Sequence, residues 1–246
     1  MTKWLATALL LSCGTQSQAA VVSQFIETET RQELKAYRLI KAIEPQLQQV
    51  YQALPMQHKL TVVYGAQDGP LFAPEVMQIQ IPYYFVTEVL NRFTKDEYQK
   101  TGVSPKAATQ DALLHTLGHE YGHAYIYANE IIVLGREEDA VDTLATLLLI
   151  NAFEDGAEIA LSAADLFALE DEDIDELVED DFSDEHSLDA QRYHATICLI
   201  YGSEPEKYAR LLAGSEQGTE RGTMCEQEYA RQNDNWEKLK SRYLAK

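Results

Sequence analysis

The sequence predicts an α+β protein that is predominantly helical, with a small sheet towards its N-terminal side. Apolar residues recur at helical spacing through most of the chain. Two short runs, KLTVVYGA (59–66) and MQIQIPYY (77–84), instead have the composition or the alternation of strands. No internal repeat or long Pro/Gly linker interrupts the pattern, so we expect a single domain over residues 20–246.

The individual elements are predicted from periodicity and from residues that start or end them. Ser104 is a suitable N-cap, and Pro105 suits the first position of the helix after it. Pro82 marks the end of the strand at 77–84 or a place at the edge of the sheet. Helices are predicted at 21–54, 83–98, 104–129, 136–153, 157–169, 186–201, 204–213 and 223–244.

The N-terminal stretch MTKWLATALLLSCGTQSQAA is typical of an export signal, with a basic residue before a short apolar run. Ser17 and Ala19 fit the positions before a signal peptidase cut, which predicts a signal peptide at 1–19 and a periplasmic or secreted protein. LLSC offers a lipoprotein site as an alternative, with a lipid anchor on Cys13. No later stretch holds 18 uninterrupted apolar residues, so we expect no membrane span.

Removal of the signal peptide leaves two cysteines, Cys198 and Cys225. In an exported protein such a pair suggests a disulfide, while two buried thiols are the alternative.

The formal net charge of −20 argues against nucleic acid as a partner, because phosphate backbones attract Lys and Arg. Much of the acidity is local, in LEDEDIDELVEDDFSDE (169–185). We interpret this run as a solvated surface, because the spacing of a calcium-binding loop is absent.

The segment HTLGHEYGHAYIY (115–127) contains the motif H-E-x-x-H, formed by His119, Glu120 and His123. Residues four apart lie on one face of a helix, so both imidazoles can reach one metal ion. Glu120 lies beside them as a candidate general base. The alternative is a helix face that merely carries histidines. His115 could be a ligand in another register, but it lacks a neighbouring Glu and more simply packs nearby.

A catalytic zinc needs a third protein ligand, and two known arrangements do not fit. The metzincin extension requires Gly and His where this chain has Ile126 and Asn129. A di-iron bundle requires a second Glu-x-x-His, which does not occur.

The segment REEDAVD (136–142) resembles the corresponding helix of gluzincins, the thermolysin-type zinc peptidases. This resemblance implies that Glu138 is the third ligand and that Asp142 orients a ligand histidine. Glu137 and Asp139 are neighbours that could replace Glu138.

Three blocks together resemble a bacterial family of exported metallopeptidases that is otherwise catalogued as a domain of unknown function. They are HTLGHEYGHAYI, LGREEDAVDTLATLLL and DEHSLDAQRYHATICLIYGSEPEKY. The resemblance extends from about residue 30 onward and implies a zincin-like fold, Zn²⁺ and a peptide or protein substrate. It does not identify that substrate.

The third block supplies candidates for stabilising the transition state, because zincins place a His, Tyr or Arg where the oxyanion develops. His186 is the first choice, ahead of Arg192, Tyr193 and His194. The alternative is a histidine at the start of a helix, with its carboxylate neighbours acting as caps.

The sequence thus favours a gluzincin-like peptidase in which His119, His123 and Glu138 bind zinc and Glu120 activates water. The rival interpretation is a zincin-fold binding or chaperone-like module with a structural metal or none. The strand at 77–84 would pair with extended substrate if it lies at the edge of the sheet, and is an ordinary strand otherwise.

Overall fold

The protein forms a small sheet packed against a larger set of helices in the computed structural model, which describes residues 21–174, 176–213 and 218–244. The expected signal peptide and Cys13 lie outside the described residues. The strands are β1 (Val21–Phe25), β2 (Leu60–Tyr64), β3 (Leu71–Ala73) and β4 (Gln78–Ile81). The helices are α1 (Arg31–Ala53), α2 (Tyr83–Lys95), α3 (Pro105–Ala128), α4 (Glu137–Ala152), α5 (Gly156–Asp171), α6 (Glu179–Ser183), α7 (Asp189–Ser203) and α8 (Gly218–Leu244). The predicted α+β class is therefore confirmed.

The sheet has the strand order β1-β2-β4-β3, so sequence neighbours are not always spatial neighbours. β1, β2 and β4 run parallel, while β3 is antiparallel to β4 and lies at the edge. The expectation that 77–84 could be an edge strand is wrong, because β4 lies between β2 and β3. The edge strand is only three residues long, too short for its alternation to be recognised in the sequence.

The N-terminal segment 21–54 is not one helix, as its periodicity suggested. Val21 and Val22 begin β1, which pairs with β2. Valine is β-branched and favoured in strands, so the pairing prevails here over the helical periodicity of the segment. α1 begins later, after Thr30, whose hydroxyl accepts from the backbone N–H of Glu33 at 3.1 Å. The Glu33 carboxylate in turn accepts from the backbone N–H of Thr30 at 2.9 Å, which completes a capping box.

α3 is the central helix, and most of its residues are buried. It begins as predicted, with Ser104 accepting from the backbone N–H of Ala107 at 3.1 Å and Pro105 in the first turn. α1, α2, α4 and α5 all pack against it. The buried Tyr121 hydroxyl donates to the carbonyl of Leu54 at 2.6 Å, which ties the middle of α3 to the end of α1.

The C-terminal part of the chain packs α7 against α4, α5 and α8. A disulfide between Cys198 and Cys225 joins α7 to α8, in agreement with the expected pairing. The helix predicted at 204–213 is wrong: α7 ends at Ser203, because Glu204 precedes Pro205 and is disfavoured in the α conformation. Residues 204–213 instead form turns and one short 3₁₀ helix, Ala209–Leu212.

The acidic stretch is mainly surface, as interpreted, and carries the short helix α6. Among the described residues, none of the helices combines the length and the apolar character needed to cross a membrane.

Candidate metal centre

The middle of α3 places the H-E-x-x-H side chains at the floor of a cleft of about 330 Å³. His119 and Glu120 are buried, at 5% and 6% exposure, and His123 is partly buried. Tyr121 is two positions from both His119 and His123, so it lies on the opposite side of α3 from them. Its buried hydrogen bond to the carbonyl of Leu54, just after α1, would break if α3 rotated.

Two glycines of α3 lie where α4 approaches closely, and Gly122 is the one that the approach requires. A Cβ atom added to Gly122 would lie 3.0 Å from both Cβ and Cγ1 of Val141. A Cβ atom added to Gly118 would lie 3.4 Å from Cβ of Ala145. Gly118 and Gly122 are one helical turn apart, as are Val141 and Ala145, so the two helices meet along matched small surfaces. The two glycines are visible in LGHEYGH, but the prediction from the sequence made no use of them.

The close approach brings Glu138, in the first turn of α4, against both histidines of the motif. Its Oε2 lies 3.1 Å from Nε2 of His119, and its Oε1 lies 3.3 Å from Nε2 of His123. The two Nε2 atoms are 3.2 Å apart. Within the described residues these three side chains form the group whose geometry could hold a metal ion.

We call Nε2 of His119, Nε2 of His123 and the Glu138 carboxylate the metal triangle. The hydrogen bonds of the two Nδ1 atoms determine the protonation state of its imidazoles. Nδ1 of His119 donates to Oδ1 of Asp142 at 2.7 Å, and Nδ1 of His123 donates to Oε1 of Glu137 at 2.8 Å. An ionised carboxylate only accepts hydrogen bonds, so Nδ1 carries the proton in each neutral ring and Nε2 carries a lone pair. Two lone pairs and a carboxylate therefore point into one small space.

A divalent cation fits this donor set. Tetrahedral zinc with bonds near 2.0–2.1 Å separates neighbouring ligand atoms by roughly 3.3 Å. The two Nε2 atoms are 3.2 Å apart, and each lies 3.1 or 3.3 Å from one of the two carboxylate oxygens of Glu138. The buried Oε2 of Glu138 has no hydrogen bond of acceptable geometry, even though imidazole nitrogens lie near it. This is expected if the nitrogens and the oxygen are directed at a common centre instead of at each other.

The charge states agree with an ionised ligand carboxylate. Burial alone would raise the pKa of Glu138, but the three surrounding imidazoles of His119, His123 and His186 outweigh it and hold that pKa well below its usual range. Burial would likewise lower the pKa of His119, yet the hydrogen bond to Asp142 and the nearby carboxylate of Glu138 raise it. In the absence of a cation these carboxylates favour protonated rings. A metal would replace the protons.

Asp142 stands behind His119 at the i+4 position from Glu138. Burial would raise the pKa of its carboxyl group, but the hydrogen bonds from His119 and Arg192 hold it well below its usual range. Three of the candidates in the segment 184–208 for stabilising the oxyanion can now be placed. His186 lines the cleft, whereas Arg192 and Tyr193 do not. Arg192 instead contacts Asp142.

Glu120 lines the cleft beside the triangle. Burial raises the pKa of its carboxyl group, and the neighbouring imidazoles of His119 and His123 oppose that shift. A buried carboxylate with a raised pKa, next to a potential metal, is suited to accept and return a proton.

His186 lies on the loop before α7, which begins three residues later than predicted. Its Nε2 lies 3.0 Å from Oε2 of Glu138, and its Nδ1 lies 3.2 Å from Oδ1 of Asp184. Arg136, at the start of α4, donates to the carbonyl of His186 at 2.6 Å. Ser187 donates to Asp139 at 2.7 Å. The first turn of α4 therefore holds both the candidate ligand and the loop that carries His186.

His115 is separate from the triangle. It is buried, its Nε2 lies 3.2 Å from the hydroxyl of Thr146, and its ring meets that of Phe167 edge to face. Burial lowers its pKa to about 4, so it is neutral under ordinary conditions.

The two walls of the cleft differ in character. One is apolar and includes the edge strand β3, with Leu71, Phe72 and Tyr127. The other is acidic and includes Glu137 and Glu185. The sequence prediction missed β3, although this strand supplies Leu71 and Phe72 to the lining of the cleft.

A family model described as "Putative metallopeptidase" matches residues 22–240. No curated protein and no solved structure matches the chain.

We predict that Gly122→Ala destabilises the protein and loosens the metal triangle, because the new methyl group would press on Val141 at 3.0 Å. Overpacking of this kind costs about 1–3 kcal/mol. Urea denaturation monitored by circular dichroism measures the change. Gly118→Ala is the matched control, since its 3.4 Å contact with Ala145 is ordinary van der Waals packing. Equal effects of the two substitutions would contradict the steric explanation.

Proposed function

Because the chain belongs to the family described as "Putative metallopeptidase", we propose that it is a zinc-dependent peptidase of the gluzincin type. Family membership implies peptide or protein substrates. The observation that carries the proposal is the convergence of Nε2 of His119, Nε2 of His123 and the Glu138 carboxylate, with Glu120 beside them in an open cleft. A purely structural metal would not require an adjacent buried carboxylate in a groove.

His119, His123 and Glu138 would hold the zinc ion. Two nitrogens and one carboxylate oxygen form a donor set typical of catalytic zinc, which leaves one coordination position open. When bound, zinc supplies a Lewis acid that polarises a carbonyl oxygen and lowers the pKa of water.

Glu120 acts as the general base and then as the general acid. Its carboxylate removes a proton from the water whose oxygen attacks the peptide carbonyl carbon. The same carboxyl group then delivers that proton to the nitrogen as the C–N bond breaks, so the products are a carboxylic acid and an amine. Its buried position beside the imidazoles supports this role.

His186 donates a hydrogen bond to the carbonyl oxygen as negative charge develops there. Its position at the rim of the cleft, close to Glu138 and held by Arg136, supports this assignment.

The edge strand β3 binds the substrate backbone in extended form. β3 is antiparallel to β4 and lines the cleft, so a peptide can add to it as a further strand. Leu71 and Phe72 line the cleft, so this side of it favours apolar substrate side chains.

We also propose that this reaction takes place outside the cytoplasm. The disulfide between Cys198 and Cys225 supports an oxidising location. N-terminal sequencing of the mature chain tests it: a start near residue 20 indicates cleavage by signal peptidase, a start at Cys13 indicates the lipoprotein route, and an intact Met1 contradicts the cleavage of an export signal.

We predict that the purified protein binds one zinc ion and that Glu138→Gln abolishes stoichiometric binding, because a neutral amide is a poor ligand. Elemental analysis after dialysis against a weak chelator measures this. Glu137→Gln is the matched control from the same helical turn. Its amide oxygen can still accept from Nδ1 of His123 but carries no negative charge, so the affinity should fall by only about tenfold. A greater loss of zinc binding in Glu137→Gln than in Glu138→Gln would identify Glu137 as the ligand.

We predict that Glu120→Gln keeps its zinc but loses peptidase activity by about 10²–10⁴-fold, since the amide cannot accept the proton. Cleavage of a mixed peptide library, measured by mass spectrometry, gives the rate. Bound zinc with no cleavage by the unmodified protein would favour the rival interpretation, a binding module with a structural metal.

We predict that His186→Ala leaves zinc content unchanged and lowers kcat by about 10²-fold, because it removes one donor to the oxyanion. His194→Ala is the control, since it lies on α7 outside the cleft lining. Loss of zinc in His186→Ala would identify His186 as a ligand. Unchanged kcat would remove it from the mechanism.

A further inference from the structure

Arg192 makes a two-point contact with the carboxylate that orients the first histidine. Its Nε donates to Oδ2 of Asp142 at 2.8 Å, and its Nη2 donates to Oδ1 of the same residue at 3.1 Å. The planar guanidinium presents two donors in a fixed fork, which matches both oxygens of a carboxylate.

The surroundings of Arg192 fix the direction of this fork. The side chain is largely buried, and its guanidinium carbon lies 4.0 Å from the centre of the Phe167 ring on α5. Asp189, one helical turn earlier on α7, lies 3.6 Å from Nη1. The guanidinium is therefore held by α5 and α7 while it reaches across to α4.

The same carboxylate oxygen joins Arg192 to the motif helix. Oδ1 of Asp142 accepts from Nη2 of Arg192 and from Nδ1 of His119. A continuous row of hydrogen bonds thus runs from α7 through α4 to α3. Without Arg192 the buried carboxylate would lose its bonds to the guanidinium, and a buried acceptor deprived of donors turns towards other partners.

We infer that Arg192 is a positioning residue of the metal centre, which acts by fixing the Asp142 carboxylate and thereby the tautomer and ring orientation of His119. This inference rests on the proposed metal site. Arg192 is absent from the lining of the cleft and lines two other cavities, one of them shared with Asp142, so it acts through Asp142 and not on substrate.

The test measures the affinity of the full-length protein for Zn²⁺ by competition with a chromophoric chelator. Arg192→Met keeps much of the side-chain length and its packing on Phe167 but removes the fork, and should weaken binding by about tenfold. Arg192→Lys keeps the charge without the two-point geometry and should recover only part of that loss. The visible spectrum of the Co²⁺-loaded protein should change in the same order, because it reports ligand geometry.

A double-mutant cycle separates action through Asp142 from general destabilisation. In the Asp142→Ala background, Arg192→Met should cause little further loss of Zn²⁺ affinity. Arg92→Met is the matched control: Arg92 also bridges two carboxylates, those of Glu170 and Asp173 at 3.2 and 2.7 Å, but does not contact Asp142. It should bind Zn²⁺ with the affinity of the unmodified protein.

Three outcomes would overturn the inference. One is unchanged Zn²⁺ affinity and Co²⁺ spectrum in folded Arg192→Met, or in folded Arg192→Lys if the methionine variant does not fold. A second is an equal loss with and without Asp142. The third is an unmodified protein that binds no Zn²⁺, which would remove the metal site and this inference together. The first two leave the proposed peptidase intact.

Discussion

The close approach of α3 and α4 is the constraint on which the candidate site depends. Helix axes commonly lie 8–10 Å apart according to the side chains at the contact, and Gly118 and Gly122 remove those side chains from α3. Val141 and Ala145 fill the space, so the first turn of α4 comes within reach of the imidazoles. The Glu138 carboxylate can then lie between two histidines that a single helix turn already places together. A bulkier contact would leave three donors too far apart to share one ion.

The hydrogen bonds and charges around Glu138 favour a cation between it and the two histidines. Each histidine donates its Nδ1 proton to a carboxylate of α4, so both Nε2 lone pairs face Glu138. Such an arrangement of acceptors is costly in a partly buried space unless a positive charge lies among them. The carboxylates that orient the rings lie on the same helix as the ligand carboxylate. α4 therefore supplies both a ligand and the orientation of the other two.

The success and failure of the sequence prediction have separate physical causes. The start of α3 was predictable because Ser104 and Pro105 act locally, on the free N–H groups and the backbone angle of the first turn. β1 was missed because its residues pair with residues of β2 that lie 39 positions later in the sequence, and only that pairing overrides the helical periodicity of the segment. β3 was missed because three residues carry no recognisable alternation. Its absence led to the assignment of β4 as a possible edge.

The sequence by itself determined that His119, Glu120 and His123 share one helical face, since a spacing of four residues corresponds to about one turn wherever the helix lies. It also determined the local starts of α3 and α4. Only the tertiary structure decided which acid of REEDAVD meets the imidazoles, that Arg192 lies behind Asp142 while His186 reaches the cleft, and that β3 forms its apolar wall. These depend on distances between segments far apart in the chain, and such distances are set by how whole helices and strands pack.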